Sequence, residues 1–300
     1  MAVSVPEQAA CLFEVQQAVD LEEVDAVATV DAQQVVRWQS GQPSALNDAL
    51  AQEVPVALVY NGLSHVVMLC SPADLVDFAY GFSFTEGIIS HAEQIYSVEL
   101  QARYSDAGQY QGIEVQVALA SAQFAGLKQQ RRNLTGRTGC GLCGAESLQQ
   151  VFKQPQCVHH EATAALSVRA IDEAVSRLQA QQPLQQLTGA THACAVMDRS
   201  GVVLAVREDV GRHNALDKLI GSLLRKQQLQ ALQQSQYILT TSRASYEMVQ
   251  KVAMAGGKGL IAMSAPTALA VNLAKQYDLL LVGFAKPGRC VVYHGSLAEA

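Results

Sequence analysis

The sequence lacks the features by which membrane proteins and nucleic-acid-binding proteins are usually identified. No segment approaches the roughly 18 consecutive apolar residues that a membrane-spanning helix needs. The first thirty residues contain neither Lys nor Arg, so they do not resemble the basic start of a signal peptide. The net charge is −6, without a long Lys/Arg run that would bind nucleic acid or an anionic membrane. We therefore expect a cytoplasmic protein that binds neither nucleic acid nor a membrane.

Charged and aromatic side chains are also scarce, at 16% and 6% of the residues. With 49% hydrophobic residues the chain can nevertheless bury a sizeable core, which excludes wholesale disorder. A length of 300 residues indicates two domains or one large one. The acidic balance does not exclude a small basic pocket for a phosphorylated ligand.

Cysteine is too sparse for a secreted disulfide framework. The seven cysteines are an odd number spread over the chain, at positions 11, 70, 140, 143, 157, 194 and 290. In a reducing compartment such cysteines are metal-binding, catalytic or simply buried. Only Cys140 and Cys143 are closely spaced, so this Cys-x-x-Cys pair is the first candidate for chemistry.

Hydrophobic periodicity and turn signals divide the chain into four regions. Asn61-Gly62 between two β-rich runs predicts a hairpin, and an apolar stripe from Leu75 to Phe82 predicts a helix. From about residue 170 strands alternate with helices, which predicts a largely parallel sheet. The predicted regions are a poorly ordered N-terminal arm over 1–45, an α+β domain over 46–125, a glycine-rich Cys-x-x-Cys loop and linker over 126–165, and an α/β domain over 166–300.

The Cys-x-x-Cys pair lies in a basic, glycine-rich stretch. Residues 131–144 contain four glycines and three arginines. Nearby positive charge lowers the pKa of a thiol and so favours the nucleophilic thiolate. The glycines would let the pair swing, which suits a group carried between two sites. These residues predict a break in regular structure from about residue 123 to 148.

Spacing alone leaves two other interpretations of this pair open. Cys140, Cys143, Cys157 and the His159-His160 pair could together supply the ligands of a tetrahedral zinc site. A reversible Cys140–Cys143 disulfide would instead make the protein a dithiol oxidoreductase.

Four polar segments follow predicted strands in the C-terminal region. In open α/β sheets, ligands bind where strands give way to helices, and free N–H groups at helix starts can receive phosphate. Together the four segments predict a site for a bulky anionic ligand. His213 with Asp209 could form a general acid–base pair, and Glu247 with Lys251 an i, i+4 ion pair. The segments are 207–214, 240–243, 264–267 and 284–289.

Several motifs, in this order, resemble the formate dehydrogenase accessory sulfurtransferases of the FdhD type. The resemblance runs from about residue 50 to 295. Its motifs are Asn61-Gly62, Gly81 with Thr85-Glu86-Gly87-Ile88-Ile89, the 136–144 cysteine loop, 208–215 with Asp217-Lys218, Ser245 with 247–251, 264–267, and Gly283-Phe284 with 286–289.

The resemblance implies a sulfur carrier. A cysteine desulfurase would load sulfur on Cys140 as a persulfide, with Cys143 assisting. The sulfur would pass to the molybdenum of a bis(molybdopterin guanine dinucleotide) cofactor, Mo-bis-MGD, that formate dehydrogenase requires. The alternative is a zinc-stabilised protein that escorts this cofactor without transferring sulfur.

The resemblance also carries expectations for the ligand site, the fold and the assembly. It implies a C-terminal cytidine-deaminase-like three-layer α/β domain without a catalytic metal, a smaller N-terminal α+β domain, and a homodimer. The residues it implies for cofactor binding are Phe284, Ala285, Lys286, Pro287, Gly288 and Arg289.

Overall fold

The computed structural model describes residues 28–132 and 166–298. The strands are β1 (Val30–Gln39), β2 (Gln42–Ala51), β3 (Val54–Tyr60), β4 (Leu63–Cys70), β5 (Ile95–Tyr104), β6 (Tyr110–Leu119), β7 (His192–Met197), β8 (Val203–Asp209), β9 (Tyr237–Thr240), β10 (Gly259–Ala262), β11 (Leu280–Lys286) and β12 (Arg289–His294). The helices are α1 (Leu75–Thr85), α2 (Ser121–Arg132), α3 (Val168–Ala180), α4 (Pro183–Thr188), α5 (Arg212–Arg225), α6 (Leu229–Ser235), α7 (Tyr246–Met254) and α8 (Ala268–Gln276). The predicted mixed α/β class is confirmed.

Strands β1 and β2 form an antiparallel hairpin in a region that we expected to be poorly ordered. Ser40 and Gly41 connect them with positive φ angles of 52° and 80°, the conformation of a two-residue type I′ turn. The prediction of an arm over 1–45 is therefore wrong for residues 30–45, and residues 1–27 lie outside the described residues. Most hairpin side chains face solvent, so no hydrophobic alternation marked these strands.

Strands β3 to β6 form a four-stranded sheet in the order β4-β3-β6-β5. Asn61 and Gly62 have φ angles of 47° and 78°, so the predicted type I′ turn joins β3 to β4. Helix α1 buries Leu75, Phe78 and other apolar side chains of its predicted stripe. Helix α2 begins at Ser121, where the sequence predicted a break from residue 123, so that prediction is wrong for residues 123–132.

The C-terminal region contains a six-stranded sheet in the order β12-β11-β10-β9-β7-β8. Only the β9–β10 and β10–β11 pairs are parallel, and β7 and β12 run opposite to the other four strands, so the prediction of a largely parallel sheet is wrong for the pairs that contain β7 or β12. The reason is connection length, because tight turns at 198–201 and at Pro287-Gly288 return β8 and β12 beside their neighbours. Helix α3 covers one face of this sheet, and α5, α7 and α8 cover the other.

Helices α1 and α5 join the two sheets through a glycine contact. A Cβ atom on Gly81 would stand 1.7 Å from the Asp217 carbonyl oxygen, and one on Gly221 would stand 1.8 Å from that of Asp77. The two helix backbones therefore touch, and a single hydrophobic cluster runs from β3 to β11. The predicted N-terminal and C-terminal domains share this core. No helix within the described residues is long and apolar enough to cross a membrane.

Candidate functional site

One edge of the six-stranded sheet collects the polar segments predicted from the sequence. The parallel strands β9, β10 and β11 all end at this edge. Because β7 runs antiparallel to both β8 and β9, the start of β7 and the end of β8 lie there as well. Ligands of open α/β sheets bind outside such strand ends. This edge is called the ligand edge below.

The predicted catalytic cysteines cannot be placed relative to the ligand edge. Cys140 and Cys143 lie outside the described residues, as do Cys157 and His159 of the zinc alternative. In the part of the chain that the structure describes, no group of three or more His, Cys, Asp or Glu side chains could hold a metal ion.

Asp209 is a buried structural carboxylate and not the partner of His213. It accepts hydrogen bonds from the Ser71 amide at 3.0 Å and from Asn214 Nδ2 at 3.0 Å. Lys218 Nζ lies 2.5 Å away, and neither side chain is exposed to solvent. The predicted acid–base pair of Asp209 with His213 is therefore wrong. Asp209 is polar, as the sequence indicated, but its carboxylate bonds to groups inside the protein and is not available to a ligand.

His213 instead pairs with Glu247 at the start of α7, Nε2 to Oε2 at 2.7 Å. Burial alone would raise the pKa of Glu247, but the hydrogen bond and charge of His213 bring it below its usual value. The predicted pairing of Glu247 with Lys251 is also replaced, since Lys251 Nζ binds Asp217 Oδ2 at 2.9 Å and Glu86 Oε1 at 3.2 Å. Glu247 thus orients an imidazole at the ligand edge.

Arg212 and Arg243 place two guanidinium groups near each other without an acidic partner in direct contact. Neither side chain hydrogen-bonds to a described residue, and the Arg212 Nε atom is shielded from solvent. Burial lowers the pKa of Arg212, and the charge of Arg243 lowers it further, whereas Glu247 opposes the shift. Burial and the Arg212 charge likewise lower the pKa of His192. A bound anion would relieve this repulsion and satisfy the donors.

The hydroxyl groups predicted to receive phosphate are mostly used by the fold itself. Thr241 Oγ1 accepts from the Ala193 amide at 2.9 Å. Thr267 Oγ1 accepts from the Ala270 amide at 3.3 Å and so caps α8. Thr240 Oγ1 bonds the Ala193 carbonyl and Ser242. The guanidinium groups, rather than these hydroxyls, are the donors left for a ligand.

The predicted cofactor-binding segment is the turn between β11 and β12. Pro287 and Gly288 form its tip, and Gly288 has a φ of 75°, as a type II turn requires after proline. Lys286 and Arg289 are exposed on either side, with the Arg289 guanidinium 5.7 Å from the centre of the Phe284 ring. Ala285 is different, because its side chain is buried in the core against α3.

A cleft of about 510 Å³ opens beside the ligand edge, between the end of α3 and the start of β7. It was not predicted, because the glutamines that line it look like ordinary polar surface in the sequence. Gln182 is 5% exposed, and its Oε1 atom has no hydrogen-bond partner. The lining residues are Gln179, Gln182, Gln185, Gly189, Ala190, Thr191, His192, Thr241 and Met263.

Comparisons with known proteins agree with the resemblance found in the sequence. Residues 51–298 match the model of the FdhD/NarQ family. A relative from Cupriavidus necator, named sulfur carrier protein FdhD, is 52% identical over 259 residues, which cover 86% of each chain. A crystal structure from Desulfotalea psychrophila, described as a formate dehydrogenase accessory protein, superposes with a TM-score of 0.65 at 24% identity. That superposition covers 89% of this chain and 98% of the other, and it supports the fold. On the match of its residues 51–298 and on the 52% identity, the chain belongs to the FdhD/NarQ family.

Proposed function

We propose that this protein is a cytoplasmic sulfur carrier in formate dehydrogenase maturation, a sulfurtransferase that works through a persulfide on Cys140. The name of the Cupriavidus necator relative and the description of the Desulfotalea psychrophila structure support this role. The donor would be a cysteine desulfurase, the substrate Mo-bis-MGD, and the recipient formate dehydrogenase.

The observation that carries the proposal is the set of cations at the ligand edge. Arg212 and Arg243 have no acidic partner in contact, and Lys286 and Arg289 lie at the end of β11 on the same edge. Two strand spacings, about 10 Å, separate β9 from β11. A dinucleotide carries phosphates along such a length, and each guanidinium can bind phosphate with two parallel hydrogen bonds. These four cations contrast with the net charge of −6 of the chain as a whole.

The loading step needs only the thiolate of Cys140. That thiolate attacks the outer sulfur of the desulfurase persulfide, so a sulfur–sulfur bond forms on Cys140. The sulfur–sulfur bond of the donor breaks, and the desulfurase cysteine leaves as a thiolate. No net oxidation occurs, because one persulfide replaces another. Cys143 would assist the later release of this sulfur to the molybdenum.

Mass spectrometry of peptides under non-reducing conditions tests the loading step. After incubation with a cysteine desulfurase and cysteine, we expect one extra sulfur on the peptide that contains Cys140. Cys140→Ala should abolish this addition and the maturation of formate dehydrogenase, whereas Cys290→Ser should change neither. Bound zinc without added sulfur would favour the escort function. Full maturation activity in Cys140→Ala would contradict the carrier function.

The cofactor contacts are tested separately with guanine nucleotides. Replacing both Lys286 and Arg289 with Ala should weaken binding by about 1.5–3 kcal/mol for each charge-assisted hydrogen bond lost. Arg243→Gln should weaken it similarly. Arg169→Gln on the exposed face of α3 is the matched control for loss of one guanidinium, and it should bind as the wild type does. Unchanged affinity in the first two variants would move the phosphate site elsewhere.

The proposal includes a homodimer, which sedimentation of the purified chain tests. A dimer would allow the cysteine loop of one copy to reach the ligand edge of the other. Mixing Cys140→Ala chains with Arg243→Gln chains tests this arrangement. Recovery of activity in the mixture would require that one copy supplies the thiol and its partner the cations.

A further inference from the structure

The charged side chains of the β1–β2 hairpin all lie on one of its two faces. On the other face Val36 and Trp38 are 61% and 69% exposed, and none of the described residues covers them. A two-stranded hairpin is only marginally stable in water by itself, so further packing would stabilise it. This uncharged face is called the hairpin face below. It consists of Ala32, Gln34, Val36, Trp38, Pro43, Ala45 and Asn47.

A second uncharged surface lies on the outer side of the four-stranded sheet. Strands β3 and β4 pair Pro55 with Leu69 and Ala57 with Val67, so these four side chains share one face. Val67 and Leu69 are 55% and 54% exposed. The neighbouring part of the same side is polar and carries an ion pair between β5 and β6. The apolar part, called the sheet face below, is therefore two strands wide, as the hairpin is.

The areas of the two faces favour one arrangement of two copies of the chain. Ten residue pairs give the hairpin face about 340 Å², and seven pairs give the outer side of β3 and β4 about 240 Å². Two hairpins packed on each other would bury about 700 Å², whereas stable interfaces begin near 1,200 Å². If each hairpin covered the sheet face of the other copy, both faces of both copies would be buried. The total would then be about 1,200 Å².

The lack of charge on both faces also suits a second copy as the occupant. In a symmetric dimer each contact occurs twice, so a charge buried without a partner in one contact would be buried in both. Neither face brings such a charge. We infer that the hairpin face of each copy docks on the sheet face of a second copy, so that the two contacts are reciprocal. The inference deepens the homodimer of the proposed function, on which it rests, by naming its surfaces.

The fluorescence of Trp38 tests this docking directly, because the chain has no other tryptophan. The full chain is followed by sedimentation and by fluorescence over a dilution series. We expect a dimer whose Trp38 emission moves to longer wavelength as it dissociates, since the indole then enters water. Val36→Asp and Val67→Asp should each raise the dimer Kd at least tenfold, because each buries an unpaired charge. Leu204→Asp, at an exposed position of β8 in the other sheet, is the matched control and should dimerise as the wild type does.

Mixing the two variants tests whether the contacts are reciprocal. In a mixed dimer of one Val36→Asp chain and one Val67→Asp chain, both substitutions fall in the same contact. The other contact then has the wild-type residue on each side. The mixture should therefore associate more tightly than either variant alone. A mixture that associates no more tightly would overturn the reciprocal docking.

The remaining outcomes separate these surfaces from the proposed function. A chain that stays monomeric at every concentration would overturn both the homodimer and the docking. A dimer whose Trp38 emission is unchanged on dissociation, or one that either substitution leaves intact, would retain the homodimer and overturn the docking. Sulfur loading on Cys140 is measured independently of all these results. The wild-type dilution series needs no substitution, and a thermal melt shows whether each variant is folded.

Discussion

The glycine contact between α1 and α5 predicts a large loss of stability from the addition of one methyl group. In Gly221→Ala the new Cβ atom would stand 1.8 Å from the Asp77 carbonyl oxygen, whereas ordinary contacts begin at 3.4 Å. The clash is with backbone, so no side chain can rotate away. The helices must therefore separate by about 1.6 Å, the difference between these two distances.

The magnitude of this loss follows from one stabilising effect and three destabilising ones. Alanine favours a helix over glycine by about 1 kcal/mol. Against this, overpacking costs about 1–3 kcal/mol, and a gap of even 1 Å removes up to half of the dispersion energy between the helices. Separation also lengthens the hydrogen bonds that link the helices, Arg225 to Asp77 at 2.5 Å and Thr85 to Asp217 at 2.8 Å. We expect a net loss of about 3 kcal/mol, or a fall in Tm of about 6 °C for a chain of this size.

Urea unfolding followed by circular dichroism measures this loss. Gly126→Ala on α2 is the matched control, because a Cβ atom there meets no atom within 4 Å. It should leave stability unchanged or raise it by up to about 1 kcal/mol. If Gly221→Ala unfolded at the same urea concentration as Gly126→Ala, the close approach of the two helices would be refuted.

Three further predictions concern buried charges and thiols. Lys218→Met leaves the Asp209 carboxylate buried and unpaired, so it should cost about 3–5 kcal/mol in urea unfolding. Lys275→Met, at an exposed position of α8, should change stability by less than about 0.5 kcal/mol. The lowered pKa of Glu247 stabilises the fold above its usual pKa of 4.5, and this contribution is lost as the pH falls below that value. Glu247→Gln should therefore flatten the decline of Tm as the pH falls below 4.5, and an unchanged slope would contradict the pairing. Burial raises the pKa of Cys194 to about 12, so iodoacetamide should label it only after unfolding. Labelling of the native protein at that residue would show that this part of the core opens.

Local signals in the sequence predicted the elements that depend on local interactions. The Asn61-Gly62 turn and the apolar stripe of α1 from Leu75 to Phe82 have clear patterns, and the structure confirms both. The β1–β2 hairpin has no such pattern, because its side chains are exposed and the only local signal is Ser40-Gly41. The direction of β12 depends on the short Pro287-Gly288 turn. This turn is visible in the sequence, but the prediction of a parallel sheet relied on the alternation of strands and helices instead.

The side-chain partners of the candidate site could not be predicted, because they come from distant parts of the chain. Asp209 is held by Ser71, which lies 138 positions earlier. Glu247, at the start of α7, pairs with His213, at the start of α5. Only its burial distinguishes Gln182 from the many other glutamines of the sequence, and that burial could not be predicted from the sequence. The sequence shows which residues are polar and follow a strand. Only the structure shows which of them bond to other parts of the protein and which remain able to bind a ligand.

The 207–214 motif shows why this separation matters for function. Four of its side chains bind inward, and three of these contact the N-terminal unit: Arg207 binds Asp77, Asp209 binds the Ser71 amide, and Asn214 binds the Leu69 carbonyl. The fourth, Glu208, binds the first amides of α4, next to Gln182. These bonds to β4, to α1 and to the segment between them hold the backbone around Arg212 and His213 at the ligand edge, and Glu208 holds α4 beside the cleft. Because of these bonds, a substitution at the α1–α5 contact should change ligand affinity as well as stability, although it lies outside the site.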